Sequence, residues 1–492
     1  MVEAKNLTHL FSDEANVRQP SPLKTAFKYY KDPNIVFLGG GLPLADYFPW
    51  NKITAESPAA PFARGIGAVP ETAEETVVTE ILKVQEHNER KDEVSLARSL
   101  QYGFTEGHPE LLDFLKTHTK LIHKIPYDDW DIIQTTGNTQ AWDSILRTFV
   151  NKGETILVEE FTFSSALETA NGLGVNHFPI PMDDFGIVPE KLAEILANWV
   201  GPKPKLLYTV PTGQNPTGSS LSAERRKAIY KLAQEHDFII IEDEPYYFLQ
   251  MEKYTDDVSA RGEQKVGSHQ EFIESLVTSF LTLDVDGRVI RLDSFSKVLA
   301  PGARFGWYVA QKSILERLTR LHEVSVQTAS GFTTSIVNGL LNRWGQDGYI
   351  DWLIGLRSEY THKRDVAIDA VKKYFPLDVA HYNPPVAGMF FTVQFDASKH
   401  PEFATKYESD PLKVENALYE QGLAQGSLLI PGSWFKAGGN SNPPNKVEVV
   451  PGTENLIFFR GTYAAVPLDE LTEGLKRFGA GAYKEYGLEQ AI

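Results

Sequence analysis

The sequence predicts an α/β fold in which a mostly parallel sheet is covered by helices on both faces. Short apolar runs, rich in β-branched and large residues, alternate along the chain with longer segments of helical periodicity. The runs contain few polar residues, as expected for strands that are buried on both faces of a sheet. Because strands connected through helices lie parallel in one sheet, this alternation favours the α/β class.

The predicted strands are residues 131–134, 155–158, 206–210, 238–241, 289–292 and 307–310. Residues 139–150 and 222–236 are predicted to be helical, since apolar residues recur at helical spacing in both segments. Ligands of α/β folds bind at the carboxyl ends of the strands. The polar motifs that follow these strands are therefore the candidates for a functional site.

From about residue 344 the pattern changes to that of a smaller α+β domain. Its predicted elements are a helix over 349–375, strands over 386–395 and 457–462, and a helix over 468–486. The first fifty residues are rich in proline and glycine and predict an arm, packed on another surface or over the functional site. We expect the arm and part of the small domain at 1–95, a large domain at 96–343 and a small C-terminal domain at 344–492.

Composition excludes several classes of function. The 492 residues carry a formal net charge of −17 and no block of lysine and arginine, so no nucleic-acid partner is expected. The chain has no cysteine, which excludes disulfides and thiolate chemistry, and no metal site is predicted. No apolar run approaches the roughly 20 residues that span a bilayer, and the N-terminal residues lack the apolar core of a secretory signal. These features predict a cytoplasmic protein without a membrane partner.

The most informative segment is the run of residues 293–306, which contains Lys297 between Ser294, Ser296 and Arg304. A lysine amine can hold an aldehyde as a Schiff base, and hydroxyl groups with a guanidinium can hold a phosphate. Pyridoxal 5'-phosphate (PLP) carries both groups. The alternative is a plain loop in which Lys297 is solvated and Arg304 forms a salt bridge.

Polar and aromatic residues also follow other predicted strands. Asn138 and Thr139 open a predicted helix after Gly137, where backbone N–H groups and the helix dipole favour an anion. An ordinary helix cap is the alternative there. Phe163 follows the strand at 155–158 and can stack on a flat ring, although a core aromatic is the more common case.

Four more side chains suit the demands of a ring cofactor and its substrate. Asn215 lies among two prolines and two glycines, which hold its amide in place for a hydrogen bond to a ring oxygen. Asp243 can pair with a pyridinium nitrogen and so make the ring an electron sink, and Tyr246 can reach the ring oxygen. Arg460 lies in an apolar run and needs an anionic partner, for which a substrate α-carboxylate is suitable. An acidic turn and a structural salt bridge are the alternatives for Asp243 and Arg460.

In this order along the chain, the motifs resemble the fold-type I PLP-dependent aminotransferases, and the resemblance covers nearly the whole sequence. Residues 38–43, 100–103 and 107–111 are similar to the kynurenine/2-aminoadipate aminotransferase branch. Residues 245–250 and 431–435 look most like the fungal aromatic aminotransferases of type I.

The resemblance implies a large domain with a seven-stranded sheet and a homodimer with shared active sites. It implies that Lys297, Asp243 and Tyr246 are catalytic, with Lys297 moving the proton at the substrate Cα. The residues that it implies for the cofactor are Asn138, Thr139, Phe163, Asn215, Asp243, Tyr246, Ser294, Ser296, Lys297, Arg304 and Tyr102 of the partner subunit. The residues that it implies for the substrate are Arg460, Asn215, Gly40, Arg18 and Tyr102. Relatives often carry Ser and Gln within residues 138–140, so which side chain there contacts the phosphate stays open.

The implied reaction is a ping-pong transfer of an amino group to a 2-oxo acid such as 2-oxoglutarate or an aromatic 2-oxo acid. Aromatic amino acids (Phe, Tyr, Trp), 2-aminoadipate and kynurenine are the expected donors. A PLP lyase or decarboxylase on the same fold is one alternative. A ligand-sensing domain of a transcription regulator is another, but it needs a DNA-binding module, and only a short acidic arm precedes the glycine-rich segment.

Overall fold

The computed structural model describes residues 2–21, 34–35, 38, 41–261, 267–438, 445 and 452–489. These residues form two compact units. One unit comprises Met1–Glu154, Ala233–Pro245 and Gly267–Gly355, and the other comprises Thr155–Leu232, Tyr246–Val266 and Leu356–Ile492. The domain boundaries predicted at residues 95 and 343 stay predictions.

The strands are β1 (Lys52–Pro58), β2 (Thr76–Leu82), β3 (Trp130–Thr135), β4 (Thr155–Glu159), β5 (Asn176–Ile180), β6 (Met182–Asp183), β7 (Gly186–Ile187), β8 (Leu206–Thr209), β9 (Ile239–Asp243), β10 (Val289–Ser294), β11 (Gly306–Gln311), β12 (Ala380–Tyr382), β13 (Phe390–Asp396), β14 (Ile430–Pro431) and β15 (Leu456–Thr462). The helices are α1 (Asp13–Val17), α2 (Leu96–Ser99), α3 (Pro109–Ile122), α4 (Asn138–Phe149), α5 (Ser164–Gly172), α6 (Pro189–Ala197), α7 (Ala223–His236), α8 (His269–Ser275), α9 (Phe280–Leu283), α10 (Lys312–His322), α11 (Gly331–Tyr374), α12 (Pro411–Ala424) and α13 (Leu468–Glu485).

A seven-stranded mixed sheet has the order β3-β11-β10-β9-β8-β4-β5. Strand β10 is parallel to β9, and β4 is parallel to both β5 and β8. Strand β11 is antiparallel to β10 and to β3. The predicted α/β class is confirmed, and each strand predicted in this sheet is present within two residues of its expected ends. Since β11 reverses direction after β10, residues 295–305 form the turn at the carboxyl end of β10.

In the first unit, helix α4 packs on the sheet through the apolar stripe that its sequence predicts. Trp142, Ile145 and Phe149 are at most 2% exposed. The hydroxyl of Tyr308 in β11 donates a hydrogen bond of 3.0 Å to the carbonyl of Ala141. Burying each large apolar side chain stabilises the fold by about 1.5–3 kcal/mol, so this face holds the start of α4 firmly against the sheet.

A buried ion cluster also ties β9 to β10 in this unit. Arg291 Nε donates to Asp293 Oδ2 at 2.8 Å, and its Nη1 lies 3.3 Å from Glu242 Oε2. Glu242 accepts a further hydrogen bond of 2.8 Å from the backbone N–H of Phe280. Because these charges are removed from water, they need one another, and together they fix the strand ends from which Asp243 and Ser294 project.

In the second unit, a four-stranded sheet of order β12-β13-β15-β14 packs against α11, α12 and α13. Its core includes Phe391, Val393, Phe395, Phe459 and Phe478. The predicted small-domain strands and final helix are confirmed, except that β13 begins at Phe390, four residues later than expected. The left-handed backbone of Gly388 (φ 85°) delays the start of the strand.

Two further features differ from the sequence-based expectations. The helix predicted over 349–375 is the end of a longer helical run, α11, which is interrupted by Gly345 with φ 66°. The antiparallel pair β1 and β2 was not predicted, although Lys52–Glu56 alternates between polar and apolar residues. Among the described residues, no helix is long and apolar enough to cross a bilayer.

Candidate active site

The start of α4 and the turn after β10 converge in the first unit. Gly137 precedes α4 with φ 101°, and a Cβ atom on it would lie 2.6 Å from Arg304 Nη2. The guanidinium of Arg304 therefore lies directly against the helix start, where the backbone N–H groups lack intrahelical partners. Arg304 itself has a left-handed backbone (φ 47°), and its Nη1 donates to the carbonyl of Pro301 at 3.1 Å.

The serines and lysine that follow β10 form the other side of this turn. The hydroxyl oxygen of Ser294, which is buried, accepts a hydrogen bond of 2.9 Å from the backbone N–H of Ser296. Burial lowers the pKa of the half-buried Lys297, and the positive charge of Arg304 lowers it further. In the described part of the chain, neither Lys297 nor Arg304 forms an ion pair with a carboxylate. The amine of Lys297 thus loses its proton more readily than that of an exposed lysine.

Asn138, the first residue of α4, contacts Asp243 instead of pointing its side chain at an anion. Its Nδ2 donates to Asp243 Oδ1 at 2.7 Å and to the carbonyl of Leu292 at 3.2 Å. Asp243 is 7% exposed at the end of β9. The side chain of Gln140 is also occupied, because it bonds Thr136 and Ser144. Thr139 is exposed, which leaves its hydroxyl as the side-chain group at the helix start that remains available.

These residues fit PLP. The guanidinium of Arg304, which forms no ion pair with a carboxylate among the described residues, and the open helix start suit a phosphate dianion. The close approach of Gly137 to Arg304 leaves no space for a side chain between the helix start and the guanidinium. A buried carboxylate, Asp243, is positioned by Asn138, and a lysine of lowered pKa is the amine that an aldehyde requires.

The second unit holds a separate group of predicted residues, Asn215, Tyr246 and Arg460. Arg460 Nη1 donates a hydrogen bond of 2.8 Å to Asn215 Oδ1. Burial lowers the pKa of Arg460, and Tyr246 partly offsets this shift. The guanidinium carbon lies 4.5 Å from the ring centre of Phe390 and 4.7 Å from that of Phe435. Contact with two ring faces restricts the orientation of the cation, so its remaining N–H groups can bind a carboxylate.

A buried carboxylate anchors the loop that carries Asn215. Glu159, at the end of β4, is 1% exposed and accepts hydrogen bonds from Thr209 Oγ1 at 2.6 Å and from Gln214 Nε2 at 2.9 Å. Gln214 precedes Asn215 directly. The loop also packs tightly at Gly213, where a Cβ atom would lie 2.5 Å from the Cα of Gly388.

The other predicted residues are not joined to these two groups by the contacts of the described residues. Phe163 precedes α5, and its carbonyl accepts from the N–H of Ala166 at 2.9 Å. Tyr102 is 56% exposed. The guanidinium of Arg18 forms an ion pair with Glu14. Gly40 lies outside the described residues, so its predicted position over the substrate stays a prediction.

Sequence reasoning missed the groups that support the site residues. Phe390 and Phe435 enclose Arg460, and Glu159 anchors the Asn215 loop. The only sequence signals were the aromatic residue at the end of the 431–435 motif and a carboxylate at the end of a buried strand. Neither signal identifies the partner that each residue meets in the fold.

A family model described as aminotransferase class I and II matches residues 65–477. The crystal structure of aminotransferase Aro8 from Candida albicans is similar at 61% identity and a TM-score of 0.95, covering 99% of this chain and 100% of that chain. An aromatic amino acid aminotransferase of Schizosaccharomyces pombe is 42% identical over 489 residues, which is 98% of each protein. The kynurenine aminotransferase of Pyrococcus horikoshii, solved in complex with PMP and KYN, has a TM-score of 0.64 at 26% identity and covers 98% of each chain.

Proposed function

The chain belongs to the class I and II aminotransferases, and we propose that it transfers the amino group of aromatic amino acids to a 2-oxo acid. Phe, Tyr and Trp are the proposed donors, with 2-aminoadipate or kynurenine as further donors and 2-oxoglutarate or an aromatic 2-oxo acid as acceptor. The observation that carries the proposal is the guanidinium of Arg460, bonded to Asn215 and enclosed by two aromatic rings. Such a group can bind the α-carboxylate that every amino acid and 2-oxo acid presents.

We propose PLP as the cofactor, which supplies an electron-withdrawing ring next to the substrate Cα when it is bound. Lys297 would hold its aldehyde carbon, and Asp243 would accept a hydrogen bond from its ring nitrogen. Asn215 and Tyr246 would contact the ring oxygen, and Phe163 would stack on the ring. The proposed phosphate contacts are the hydroxyl groups of Thr139, Ser294 and Ser296, the guanidinium of Arg304, and the backbone N–H of Asn138.

The residues of the chain account for the proton transfer that the reaction needs. The pKa of Lys297 is lowered by burial and by Arg304, so a larger fraction of the amine is neutral near pH 7. A neutral amine can remove the proton from the substrate Cα and deliver it to the aldehyde carbon of the cofactor. Arg460 would hold the substrate carboxylate, so that the Cα–H bond keeps one orientation toward Lys297 throughout.

We further propose a homodimer in the cytoplasm, with Tyr102 contributed to the active site of the partner. Support comes from the aromatic side chains of Tyr102 and Phe104, which are 56% and 43% exposed. An interface between subunits would remove both rings from water. Arg18 and Gly40 would belong to the N-terminal segment that covers the substrate.

The test is a comparison of half-reaction and turnover in purified enzyme loaded with PLP. Phenylalanine alone should change the cofactor absorbance once, and 2-oxoglutarate should restore it and permit continuous turnover. Turnover without a second oxo acid, or release of CO₂, would identify a lyase or decarboxylase instead. Competition among Phe, Tyr, Trp, 2-aminoadipate and kynurenine, measured as kcat/KM, then ranks the donors.

A further inference from the structure

The side chain of Asn138 has a specific arrangement that phosphate binding does not explain. Its Nδ2 is shared between two oxygen atoms, Asp243 Oδ1 at 2.7 Å and the carbonyl oxygen of Leu292 at 3.2 Å. Its Oδ1 is buried and has no hydrogen-bond partner among the described residues. The amide therefore acts only as a donor, and it acts toward the carboxylate at the end of β9.

The orientation of this amide is fixed by its neighbours. Both groups that face Nδ2 are acceptors, so a flipped amide would bring Oδ1 against a carboxylate and a carbonyl. On the other side, a Cβ atom on Gly306 would lie 3.1 Å from Oδ1 and 2.7 Å from the carbonyl oxygen of Asp293. Gly306 thus leaves space for the amide oxygen, and α4 holds the Asn138 backbone through its packed apolar face.

We propose that Asn138 is a positioning residue that holds the Asp243 carboxylate, in one orientation and ionised, against the pyridine nitrogen of the cofactor. The inference rests on the proposed function, since it assumes that PLP is bound with its nitrogen at Asp243. Asn138 acts through Asp243 and does not itself touch the reacting atoms.

The physical reason is that a carboxylate that loses one of its hydrogen-bond donors can rotate and protonate more readily than one that keeps it. A hydrogen bond donated to a carboxylate favours its charged form, and bonds to charged groups are stronger than bonds between neutral ones. An ionised and oriented Asp243 keeps the ring nitrogen protonated, and the protonated ring withdraws electrons most strongly.

This assignment differs from direct phosphate binding by the Asn138 side chain. To reach a phosphate, the amide would have to break both bonds and withdraw a donor from Asp243 Oδ1, while the Leu292 carbonyl would keep the backbone N–H of Glu244 at 3.0 Å. A buried acceptor that loses its donor is unfavourable. The phosphate role at this position therefore belongs to the backbone N–H of the helix start.

The experiment compares the holoenzyme with Asn138→Leu, which keeps the approximate size of the side chain and removes both donors. Asn138→Ala is the second variant, because alanine fits the site even if the branched leucine side chain strains the fold. Asn338→Ala is the matched control. Asn338 is buried in the first unit, and its Nδ2 donates to the carbonyl of Asp92 at 2.8 Å, away from Asp243.

The first measurement is the ¹⁵N chemical shift of ring-labelled PLP, which distinguishes a protonated from a neutral ring nitrogen. We expect the wild type and Asn338→Ala to show the protonated shift, and both Asn138 variants to move toward the neutral one at the same pH. The second measurement is the dissociation constant of PLP, which should rise about tenfold in the Asn138 variants and stay within about twofold in the control.

The two Asn138 variants overturn the inference if their ¹⁵N shift and dissociation constant equal those of the wild type. A lower melting temperature with an unchanged shift would also overturn it, because that result indicates a purely structural role. A wild-type enzyme that binds no PLP, or that binds it without converting phenylalanine, would instead contradict the proposed function. The two failures are thereby distinguished.

Discussion

Arg460 and Asn215 are joined by a hydrogen bond of 2.8 Å from the guanidinium Nη1 to the amide Oδ1, although they lie 245 positions apart in the sequence. One residue lies on β15 and the other in a loop after β8. The bond commits part of the guanidinium to Asn215 and fixes the direction of the rest. In the proposed reaction, the same pair links recognition of the substrate carboxylate to the ring oxygen of the cofactor.

Arg460→Lys should lower kcat/KM for phenylalanine by about 100-fold, mainly through a higher KM. Lysine keeps the charge but loses the planar fork and its stacking between Phe390 and Phe435. Two lost charge-assisted hydrogen bonds correspond to about 3 kcal/mol or somewhat more. Arg477→Lys is the control, because Arg477 is exposed and pairs with Glu473. Steady-state kinetics would contradict the expectation if both variants matched the wild type.

Arg304→Gln should raise the pKa of Lys297, because it removes the neighbouring positive charge. Less amine is then neutral at a given pH, so the reaction of apoenzyme with pyridoxal should shift its midpoint to higher pH. Pyridoxal lacks the phosphate, which separates this effect from phosphate binding. For PLP itself, the dissociation constant should rise about tenfold through loss of a charge-assisted bond. An unshifted pyridoxal profile would show that Arg304 does not influence Lys297.

Lys297→Ala should leave a folded protein that still binds PLP but no longer turns over. The amine is the only group proposed to move the Cα proton, and the phosphate contacts do not involve it. Absorbance should show noncovalent cofactor, and phenylalanine with 2-oxoglutarate should give no continuous product. Sustained turnover in this variant would refute the catalytic assignment of Lys297.

Glu159→Gln should destabilise the protein by about 1–3 kcal/mol in urea unfolding. Glu159 accepts from Thr209, Gln214 and the backbone N–H of Val210. The amide of glutamine would point its N–H hydrogens at one or more of these three groups, which are themselves donors. Glu168→Gln, at an exposed position, should change the free energy of unfolding by less than about 0.5 kcal/mol. Equal effects of the two variants would argue against Glu159 as the anchor of the Asn215 loop.

His118→Gln should reduce the loss of stability in acid. Burial lowers the pKa of His118 to about 4, whereas the unfolded side chain titrates near 6.5. The unfolded state therefore binds more protons between these values, so stability falls as the pH falls through this window, by up to about 3 kcal/mol. Glutamine cannot titrate, but its amide can still donate a hydrogen bond to Gln346 Oε1. In the wild type this oxygen lies 3.0 Å from Nδ1 of His118. Urea unfolding at pH 7 and pH 4, with exposed His381→Gln as control, measures the difference.

Much of the fold could be predicted from the sequence, because its signals are local. The buried strands are short apolar runs, and α4 carries its apolar stripe within twelve residues. Errors arose where local signals are weak or misleading. The first four residues predicted for β13 are apolar enough for a strand, yet Gly388 adopts φ 85° against the loop at Gly213. No pattern in either segment alone reveals that close approach.

The chemistry of the site could also be predicted from the sequence, because the residue types occur in a characteristic order along the chain. Lysine, aspartate and asparagine after predicted strands, with an arginine inside another, determined which cofactor and which reaction to expect, because each matches one chemical requirement of PLP or its substrate. Only the tertiary structure decided which side chains contact one another. Asn138 was expected at a phosphate and lies on Asp243, and Arg460 is enclosed by rings from distant segments. Hydrogen bonds form between residues that are close in space, and only the folded chain determines that closeness.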